Sequence, residues 1–338
     1  MSEKLNENNY LRFIAGDFLR SPNQINSIFE SDAELIDIGN NQVLAVTYDA
    51  LVEEINSGLY TDYYQIGWMG VTISISDLAA VGANVLGLLL DLRIPLEFDL
   101  KNIDDLNRGI EDACRFYGCF ILGGDTNHNT KLQIGSTGIG ICQNNYLKRV
   151  GCNPTDVVYT SGKMGLGGVY AYQKLFKNEA GLFLPKAQLK LGQLLCNYAS
   201  CCIDTSDGFF PAIGQIMELN KIGITLEIPI TTLLHSNCEK ICKTNNLPSG
   251  IFLAGPHGEY ELLFTVPLKK VCDFEAYAKK MNQLYLRIGH ITTQRAFCKQ
   301  NNQCIDVFEI SNLYGKISNG NLQKYLEELL SLIKKMKL

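Results

Sequence analysis

The chain has 338 residues, of which 46% are hydrophobic and 19% charged, and its formal net charge is −5. This length permits about two domains with large cores, and the composition excludes the collagen-like, coiled-coil and disordered classes. The acidic balance lacks the clustered Lys and Arg that bind nucleic acid, so we expect a small-molecule partner or a second copy of the chain.

The cysteines predict a reducing environment. There are 12, scattered along the chain, and the first ten residues, MSEKLNENNY, lack the apolar stretch of a secretory signal. We therefore expect reduced thiols in a cytoplasmic protein. The four histidines supply no Cys/His pair at zinc-ligand spacing. No run approaches the ~20 apolar residues of a membrane span, so no membrane partner is expected.

The first half of the chain alternates short apolar runs with helical patterns. Strands are predicted at Val43–Thr47, Leu86–Leu90, Phe120–Leu122 and Ile134–Cys142, and helices at Tyr64–Val81 and Ile103–Tyr117. The run from Val85 to Leu90 is predicted to be a buried strand that Asp91 closes. This alternation predicts an α/β (α+β) fold.

The segment KRVGCNPTD, residues 148–156, interrupts the pattern with Gly, Pro and Asn. It predicts a junction between two domains, residues 1–150 and 151–338. The second half is predicted to contain strand Val157–Thr160, a Gly-rich turn Ser161–Gly168, helices Val169–Phe176 and Pro185–Tyr198, a helix from Gly208 to Asn220, strands Ile224–Ile228 and Glu261–Val266, and an amphipathic tail helix Leu322–Leu338.

Several aspartates lie in apolar or Gly-rich sequence: Asp49, Asp77, Asp125, Asp204 and Asp207. An ionised carboxylate in such surroundings is costly unless it is paired, hydrogen-bonded or bound to a cation. A single one is usually a helix cap, and Asp77 and Asp207 could cap the segments that follow them. The whole set instead predicts convergent oxygen ligands for Mg²⁺, which is used mainly with nucleotide phosphates.

Standard nucleotide motifs are absent from the sequence. The Gly-rich run SGKMGLGG, residues 161–168, does not match GxxxxGK[ST], because Lys163 comes too early. The residues therefore predict Mg²⁺-dependent phosphate chemistry on a scaffold other than the P-loop, and they leave the substrate open.

An ordered set of motifs carries a family resemblance: TYDALVE, IGWMGVTISISDLAAVGA, LGGDT, KRVGCNPTDVVYTSGKMG, IDTSDG, EYELLFTVP and RIGHI. Together they resemble the thiamine-monophosphate kinase family. More broadly they are similar to the superfamily of aminoimidazole ribonucleotide synthetase, selenophosphate synthetase and the hydrogenase-maturation dehydratase. The resemblance spans about residues 10–315.

The resemblance implies the two-domain fold of that superfamily. Its N-terminal domain binds ATP and Mg²⁺ and builds a shared β-barrel with the same domain of a second copy, giving a homodimer. Its C-terminal domain is a layered α/β unit, and ATP lies in a cleft between the domains.

The site residues that the resemblance implies fall into two groups. The metal ligands correspond to Asp49, Asp77, Asp125, Asp204 and Asp207, with Thr47 beside them, and to Asp32, which survives from a GDDAA motif that reads ESDAELI here. The nucleotide-binding positions correspond to Arg149, Ser206, Gly123, Gly124 and Thr126. A planar guanidinium suits phosphate oxygens.

The resemblance further implies direct transfer of the γ-phosphoryl group of ATP to thiamine monophosphate, which yields thiamine diphosphate. Such transfer needs positioning and charge neutralisation but no protein nucleophile, in keeping with the lack of a convincing Ser-His or Cys-His arrangement.

The acceptor-facing motifs depart from the family pattern. Asn56-Ser57 stands in place of a His-Phe pair, Glu259 replaces an Asp in PHGEYELLF, and Tyr314 is the remnant of an aromatic-Asp-His-Phe motif. Asn56, Glu259 and Tyr314 are accordingly the candidate acceptor contacts. Two alternatives follow: a phosphotransferase with a different small-molecule acceptor, or a non-catalytic regulatory protein that binds Mg²⁺ and ATP.

Overall fold

The computed structural model describes residues 13–16, 18–143, 145–179, 181–255, 257, 259–298, 303–313 and 322–338. Tyr314 lies outside these residues.

The described chain forms two mixed β-sheets, one from each half of the sequence. The first has the strand order β1-β2-β5-β3-β4 and the second the order β12-β11-β8-β10-β6-β9-β7. The strands of the first sheet are β1 (Glu34–Gly39), β2 (Gln42–Leu51), β3 (Asn84–Pro95), β4 (Ile121–Asn129) and β5 (Gln133–Gln143). Those of the second are β6 (Val157–Thr160), β7 (Cys201–Asp204), β8 (Gly223–Leu226), β9 (Leu262–Val266), β10 (Leu286–Thr292), β11 (Phe297–Cys298) and β12 (Cys304–Ile305).

Helices pack on both sheets, which confirms the predicted α/β (α+β) class. They are α1 (Glu53–Asn56), α2 (Tyr63–Ala80), α3 (Leu100–Tyr117), α4 (Leu166–Tyr172), α5 (Leu189–Leu195), α6 (Phe209–Asn220), α7 (Ser236–Asn245), α8 (Val271–Lys280), α9 (Val307–Ser311) and α10 (Leu322–Lys335). A π-helical turn, Gln173–Lys177, continues α4, and 3₁₀ turns occur at Ile230–Leu233, Ser249–Leu253 and Leu268–Lys270. Within the described ranges, no helix is both long and apolar enough to cross a membrane.

Helix α2 is the central element of the fold because it is buried along almost its whole length. Asp62 caps its N-terminus by accepting a hydrogen bond from the Gln65 backbone N–H at 2.9 Å. One side of the helix packs on α3 and on the first sheet, and it also reaches β7 of the second sheet. Residues near its C-terminal end therefore lie where the two sheets meet.

Several predicted elements have other bounds in the structure; strand β4, for example, extends to Asn129 and does not end at Leu122. Strand β3 is longer than expected and runs through Asp91 to Pro95, and it is only partly buried, since Leu86 and Leu89 are 49% and 38% exposed. It continues past Asp91 because β4 and β5 pair with it on both sides up to Arg93.

The helix predicted from Pro185 to Tyr198 is confined to α5, Leu189–Leu195. Side chains of α2 and α3 form hydrogen bonds with the preceding backbone, which is not helical. The Trp68 indole N–H donates to the Pro185 carbonyl at 2.8 Å, and the Ala187 N–H donates to the Tyr117 hydroxyl at 3.0 Å. These backbone groups are thus satisfied without helical hydrogen bonds.

The expectation of fully reduced cysteines is wrong for one pair. Cys298 and Cys304 form a disulfide, whereas the other ten cysteines are free. The two half-cystines are direct partners in the antiparallel β11–β12 pair, so the strand register brings their side chains together.

Gly109 provides a test of how closely α2 and α3 pack. A Cβ atom at this position would lie 2.0 Å from the Tyr64 carbonyl oxygen, whereas at Gly181 nothing lies within 4 Å. We expect Gly109→Ala to lower the free energy of unfolding by about 1–3 kcal/mol, because the helices must separate to admit the methyl group. Urea denaturation measures the change, and Gly181→Ala is the matched control. Equal effects of the two substitutions would contradict the close packing.

Candidate functional site

Three carboxylates from distant parts of the sequence converge. One oxygen from each of Asp32, Asp77 and Asp204 lies within 4.8 Å of the others. Asp32 precedes β1, Asp77 lies in the last turn of α2, and Asp204 ends β7. The group, called here the aspartate triad, therefore joins the two halves of the chain.

Hydroxyl groups hold two members of the triad in place. Thr47 on β2 donates a hydrogen bond to Asp77. Asp204 accepts from the Ser76 hydroxyl at 2.5 Å on one oxygen and from the Ser206 hydroxyl at 2.8 Å on the other. These neutral donors stabilise the ionised carboxylates without adding positive charge.

Arg149 supplies the positive charge beside the triad. Its guanidinium donates to Asp32 Oδ1 and to Gln215 Oε1, each at 2.9 Å. Asp32 Oδ2 and Arg149 Nε are buried and have no hydrogen-bond partner among the described residues. Because an unpartnered buried carboxylate oxygen is costly, the site has capacity for a further cation at Asp32.

Burial, together with the charges of neighbouring acids, raises the pKa values of two triad members, Asp77 and Asp204. The pKa of Asp204 is raised to about 6, chiefly by burial and then by the charge of Asp32, although hydrogen bonds from Ser76 and Ser206 oppose the rise. Burial and the charges of Asp204 and Asp49 raise the pKa of Asp77 well above its usual value. Protons or a cation are therefore needed to relieve the repulsion within the triad.

Asp49 and Asp207 border the triad. Burial raises the pKa of Asp49 to about 7, and the charges of Asp204 and Asp207 contribute to the rise. Asp207, in the turn between β7 and α6, is solvent-accessible but surrounded by protein atoms, and this desolvation raises its pKa. The charges of both residues thus lie close to those of the triad.

Asp125 does not join the triad within this chain. It lies on edge strand β4, all of whose residues are exposed. Its side chain is 68% exposed, 3.8 Å from Arg93 Nη2, and it accepts from Asn127 at 2.5 Å. The apolar neighbours of Asp125 in the sequence do not bury it within the single chain, because β4 has a neighbouring strand on one side only. Gly123, Gly124 and Thr126 share its exposed position.

The candidate acceptor residues occupy different environments. Asn56, at the end of α1, is exposed. Glu259 is buried, and its carboxylate accepts the backbone N–H groups of Gly165 and Gly167 at 2.9 and 2.5 Å. Its hydrogen bonds are thus made to backbone N–H groups at the N-terminus of α4, where the Gly-rich run ends. Burial raises the pKa of Glu259 to about 8.

Sequence reasoning missed four residues around the site: Glu54, Ser76, Gln215 and Tyr260. Burial raises the pKa of Glu54, as do the charges of Glu53 and Asp207. Tyr260 is buried with a backbone φ of 59°, which is unusual for a bulky residue. For Ser76 alone a signal exists, because it precedes Asp77 in ISISD. The others are recognisable only once the chain is folded.

The pKa of Asp204 predicts how stability depends on pH without divalent metal. Its folded-state value of about 6 exceeds the reference value of 3.8, so the folded protein binds more protons between these pH values. The contribution of Asp204 to the unfolding free energy therefore decreases as pH rises through this interval. In EDTA, we expect Asp204→Asn to melt above the unsubstituted protein at pH 8, and the advantage to shrink at pH 5. Differential scanning fluorimetry measures both midpoints, and a pH-independent difference would contradict the assignment.

Comparisons with known proteins identify similar sequences. Residues 30–142 match the family model of the AIR synthase related protein, N-terminal domain. Thiamine-monophosphate kinase from Haemophilus influenzae is 28% identical over 276 residues, which are 77% of this chain and 81% of that protein.

Solved structures show the same fold. A structure titled AaThiL complexed with AMPPCP and TMP has a TM-score of 0.74 at 19% identity and covers 90% of this chain and 96% of its own. The hydrogenase maturation protein HypE in complex with ATP has a TM-score of 0.65 at 18% identity, with coverage of 86% and 91%. The resemblance predicted from the motifs is confirmed: this chain is similar in sequence to thiamine-monophosphate kinases, its residues 30–142 match the N-terminal domain of the AIR synthase related proteins, and it shares the fold of the solved structures named above.

Proposed function

We propose that this protein is a metal-dependent kinase that uses ATP to convert thiamine monophosphate into thiamine diphosphate. The observation that carries the proposal is the aspartate triad, whose oxygens lie within 4.8 Å of one another at the meeting of the two sheets. Support for the substrates comes from the relative named thiamine-monophosphate kinase and from the related structure that contains AMPPCP and TMP.

Mg²⁺ is the metal that the donor set fits best. Its members are carboxylate oxygens, which are hard ligands, and Asp32 Oδ2 is buried without a partner in the described chain. When bound, the metal would supply neutralisation of phosphate charge. Asp32, Asp77 and Asp204 would hold it, with Asp49 and Asp207 at the border of the site and Thr47 orienting Asp77.

The remaining roles concern the nucleotide. Arg149, whose guanidinium lies beside the triad, would donate to phosphate oxygens, and Ser206 would lie next to them. In the reaction, a phosphate oxygen of the acceptor forms a bond to the γ-phosphorus of ATP. At the same time the bond between the γ-phosphorus and the oxygen that bridges it to the β-phosphorus breaks, and ADP leaves. The protein positions the two phosphates and disperses their charge, and no side chain acts as a nucleophile.

The carboxylates beside the triad favour a positively charged acceptor. The charges of Glu54 and Asp207 raise the pKa of Asp49, and the charge of Asp207 also raises the pKa of Glu54. The three carboxylates therefore lie close together. Buried Tyr60 and Tyr260 lie near the same charges. Thiamine monophosphate carries a thiazolium cation, which both carboxylates and aromatic faces attract.

We also propose a homodimer formed through the first sheet. Edge strand β4 offers unpaired backbone groups, and Phe120, just before the strand, and Leu122, within it, are 72% and 55% exposed. Exposed apolar edge strands are a common site of pairing with another chain. Such pairing would cover Asp125, Gly123, Gly124 and Thr126, the sequence-predicted residues that the single chain leaves exposed.

Two coarser proposals complete this interpretation. The division into domains 1–150 and 151–338 is supported by the two sheets, whose strands end at Gln143 and begin at Val157. A cytoplasmic location is supported by the ten free cysteines, since unpaired thiols are typical of reducing compartments.

A kinase assay tests the reaction. Purified protein with Mg²⁺, ATP and thiamine monophosphate should form ADP and thiamine diphosphate in equal amounts, measured by chromatography. We expect Asp77→Asn to reduce kcat/KM by at least about a hundredfold, because a neutral amide holds a cation poorly. Asp273→Asn on α8 is the control, since Asp273 is exposed, and it should leave the rate unchanged.

The same assay separates the alternatives. If AMPPCP binds in the presence of Mg²⁺ but thiamine diphosphate does not form, the acceptor is wrong. A screen of other acceptors that also gave no ADP would favour a regulatory nucleotide-binding protein. Absence of AMPPCP binding would refute the nucleotide site itself.

Light scattering coupled to size-exclusion chromatography tests the dimer. We expect the unsubstituted protein to elute with twice the mass of the chain and Leu122→Glu to elute as a monomer, because the added charge would be buried on pairing. Leu268→Glu is the control, since Leu268 is 61% exposed on the other half of the chain. A monomeric unsubstituted protein would refute the proposed pairing.

A further inference from the structure

Ser76 makes an unusual contact for a helical serine. It lies in the last turns of α2, is fully buried, and donates to Asp204 Oδ2 at 2.5 Å across 128 residues of sequence. Serine and threonine hydroxyls in helices commonly bond to the carbonyl one turn earlier. Thr72 on the same helix does so, donating to the Trp68 carbonyl at 3.0 Å. The Ser76 hydroxyl is instead committed to a carboxylate on the second sheet.

The contact determines the orientation of Asp204. Its carboxylate is held at both oxygens, by Ser76 on one and by Ser206 on the other. Ser206 is only two residues from Asp204 and moves with the same turn, whereas Ser76 belongs to another element. Only the Ser76 bond can therefore fix the direction of Asp204 relative to Asp77. A carboxylate has about four lone-pair positions. Ser206 donates both its hydroxyl and its backbone N–H to Oδ1, so the position that remains for a further ligand is on Oδ2, the oxygen that Ser76 holds.

Ser76 also adjoins Asp77 on α2, so the same turn of helix carries one triad member and orients another. A carboxylate free to rotate about its side-chain bonds would lose entropy on binding a cation, and its mean oxygen position would shift. Hydrogen bonds from neighbouring groups remove that cost in advance, and this is the usual role of groups that bond to metal ligands.

We propose that Ser76 is a positioning residue that holds the Asp204 carboxylate towards Asp32 and Asp77 and thereby sets the affinity of the triad for a divalent cation. The inference rests on the proposed function, because it takes the triad to be the metal site. It assigns a role to Ser76, which is not one of the residues proposed to contact the metal or the nucleotide.

Ser74 offers a matched control for a purely structural hydroxyl. It lies on the same helix, is fully buried like Ser76, and bonds at 2.7 Å to both the carbonyl and the hydroxyl of Ser136 on β5. Replacing either serine by alanine removes one buried hydroxyl from α2. The two variants should consequently lose similar thermal stability in EDTA.

Binding of Mn²⁺ in the presence of AMPPCP, followed by electron paramagnetic resonance, tests the inference without relying on turnover. We expect Ser76→Ala to raise the dissociation constant for Mn²⁺ by about tenfold to a hundredfold, and Ser74→Ala to change it less than about twofold. If Ser76→Ala does not fold, Ser76→Cys takes its place, since the thiol is a weaker donor, and it should weaken Mn²⁺ binding in the same direction.

The outcomes distinguish this inference from the proposed function. Equal Mn²⁺ affinity of Ser76→Ala and the unsubstituted protein overturns the positioning role and leaves the metal site intact. Equal losses in the Ser74 and Ser76 variants also overturn it, because they indicate a general effect of helix stability. Absence of Mn²⁺ binding by the unsubstituted protein refutes the metal site and the inference with it.

Discussion

Repulsion among the triad carboxylates is the constraint on which the rest of this structure depends. At separations of up to 4.8 Å, two unit charges repel by about 3–4 kcal/mol at an effective dielectric constant of about 20. Other interactions in the folded protein must offset this repulsion, and the main one is the burial of apolar side chains around the elements that carry the charges. The positive charge of Arg149 and the hydrogen bonds from the hydroxyls of Thr47 and Ser76 offset part of the repulsion. A bound cation would offset the rest.

Helix α2 shows how that burial is obtained. Most of its residues are buried, including Trp68, Ile73 and Leu78, so the helix has no solvent-facing side along which it could shift. Each of its polar residues Thr72, Ser74 and Ser76 has a hydrogen-bond partner, so few polar groups oppose burial. The helix is thereby fixed between the sheets, and Asp77 is held at the site although its charge is unfavourable there.

The local elements could be predicted from the sequence to a large extent, because apolar periodicity reports which face of a segment is buried. The pattern at Tyr64–Val81 predicts α2 almost to the residue. Failures occur where distant side chains decide the backbone, as at Pro185, whose carbonyl accepts from Trp68. Nothing within a few residues of Pro185 carries that information.

The residues of the site could likewise be predicted only where their local sequence decides their environment. Asp77 and Asp204 were recognisable because apolar sequence surrounds them and does bury them. The same local pattern around Asp125 misled, since β4 is an edge strand and its burial depends on what pairs with it. Glu259 has the family's place in the motif, yet in the fold it binds the amides of the Gly-rich turn. Sequence context thus indicates which residues carry unusual chemistry, but not which of them meet.

The distribution of charge explains why an acidic protein suits a polyphosphate ligand. The net charge of −5 is small, and a uniform spread of it would repel nucleotides only weakly. The site instead concentrates carboxylates, and burial raises the pKa values of four of them, Asp49, Asp77, Asp204 and Asp207, which indicates that they are poorly hydrated. A divalent cation would bind favourably to these poorly hydrated carboxylates, and the bound cation would present positive charge to phosphates. The carboxylates that repel a free nucleotide are therefore the groups that attract a metal-bound one.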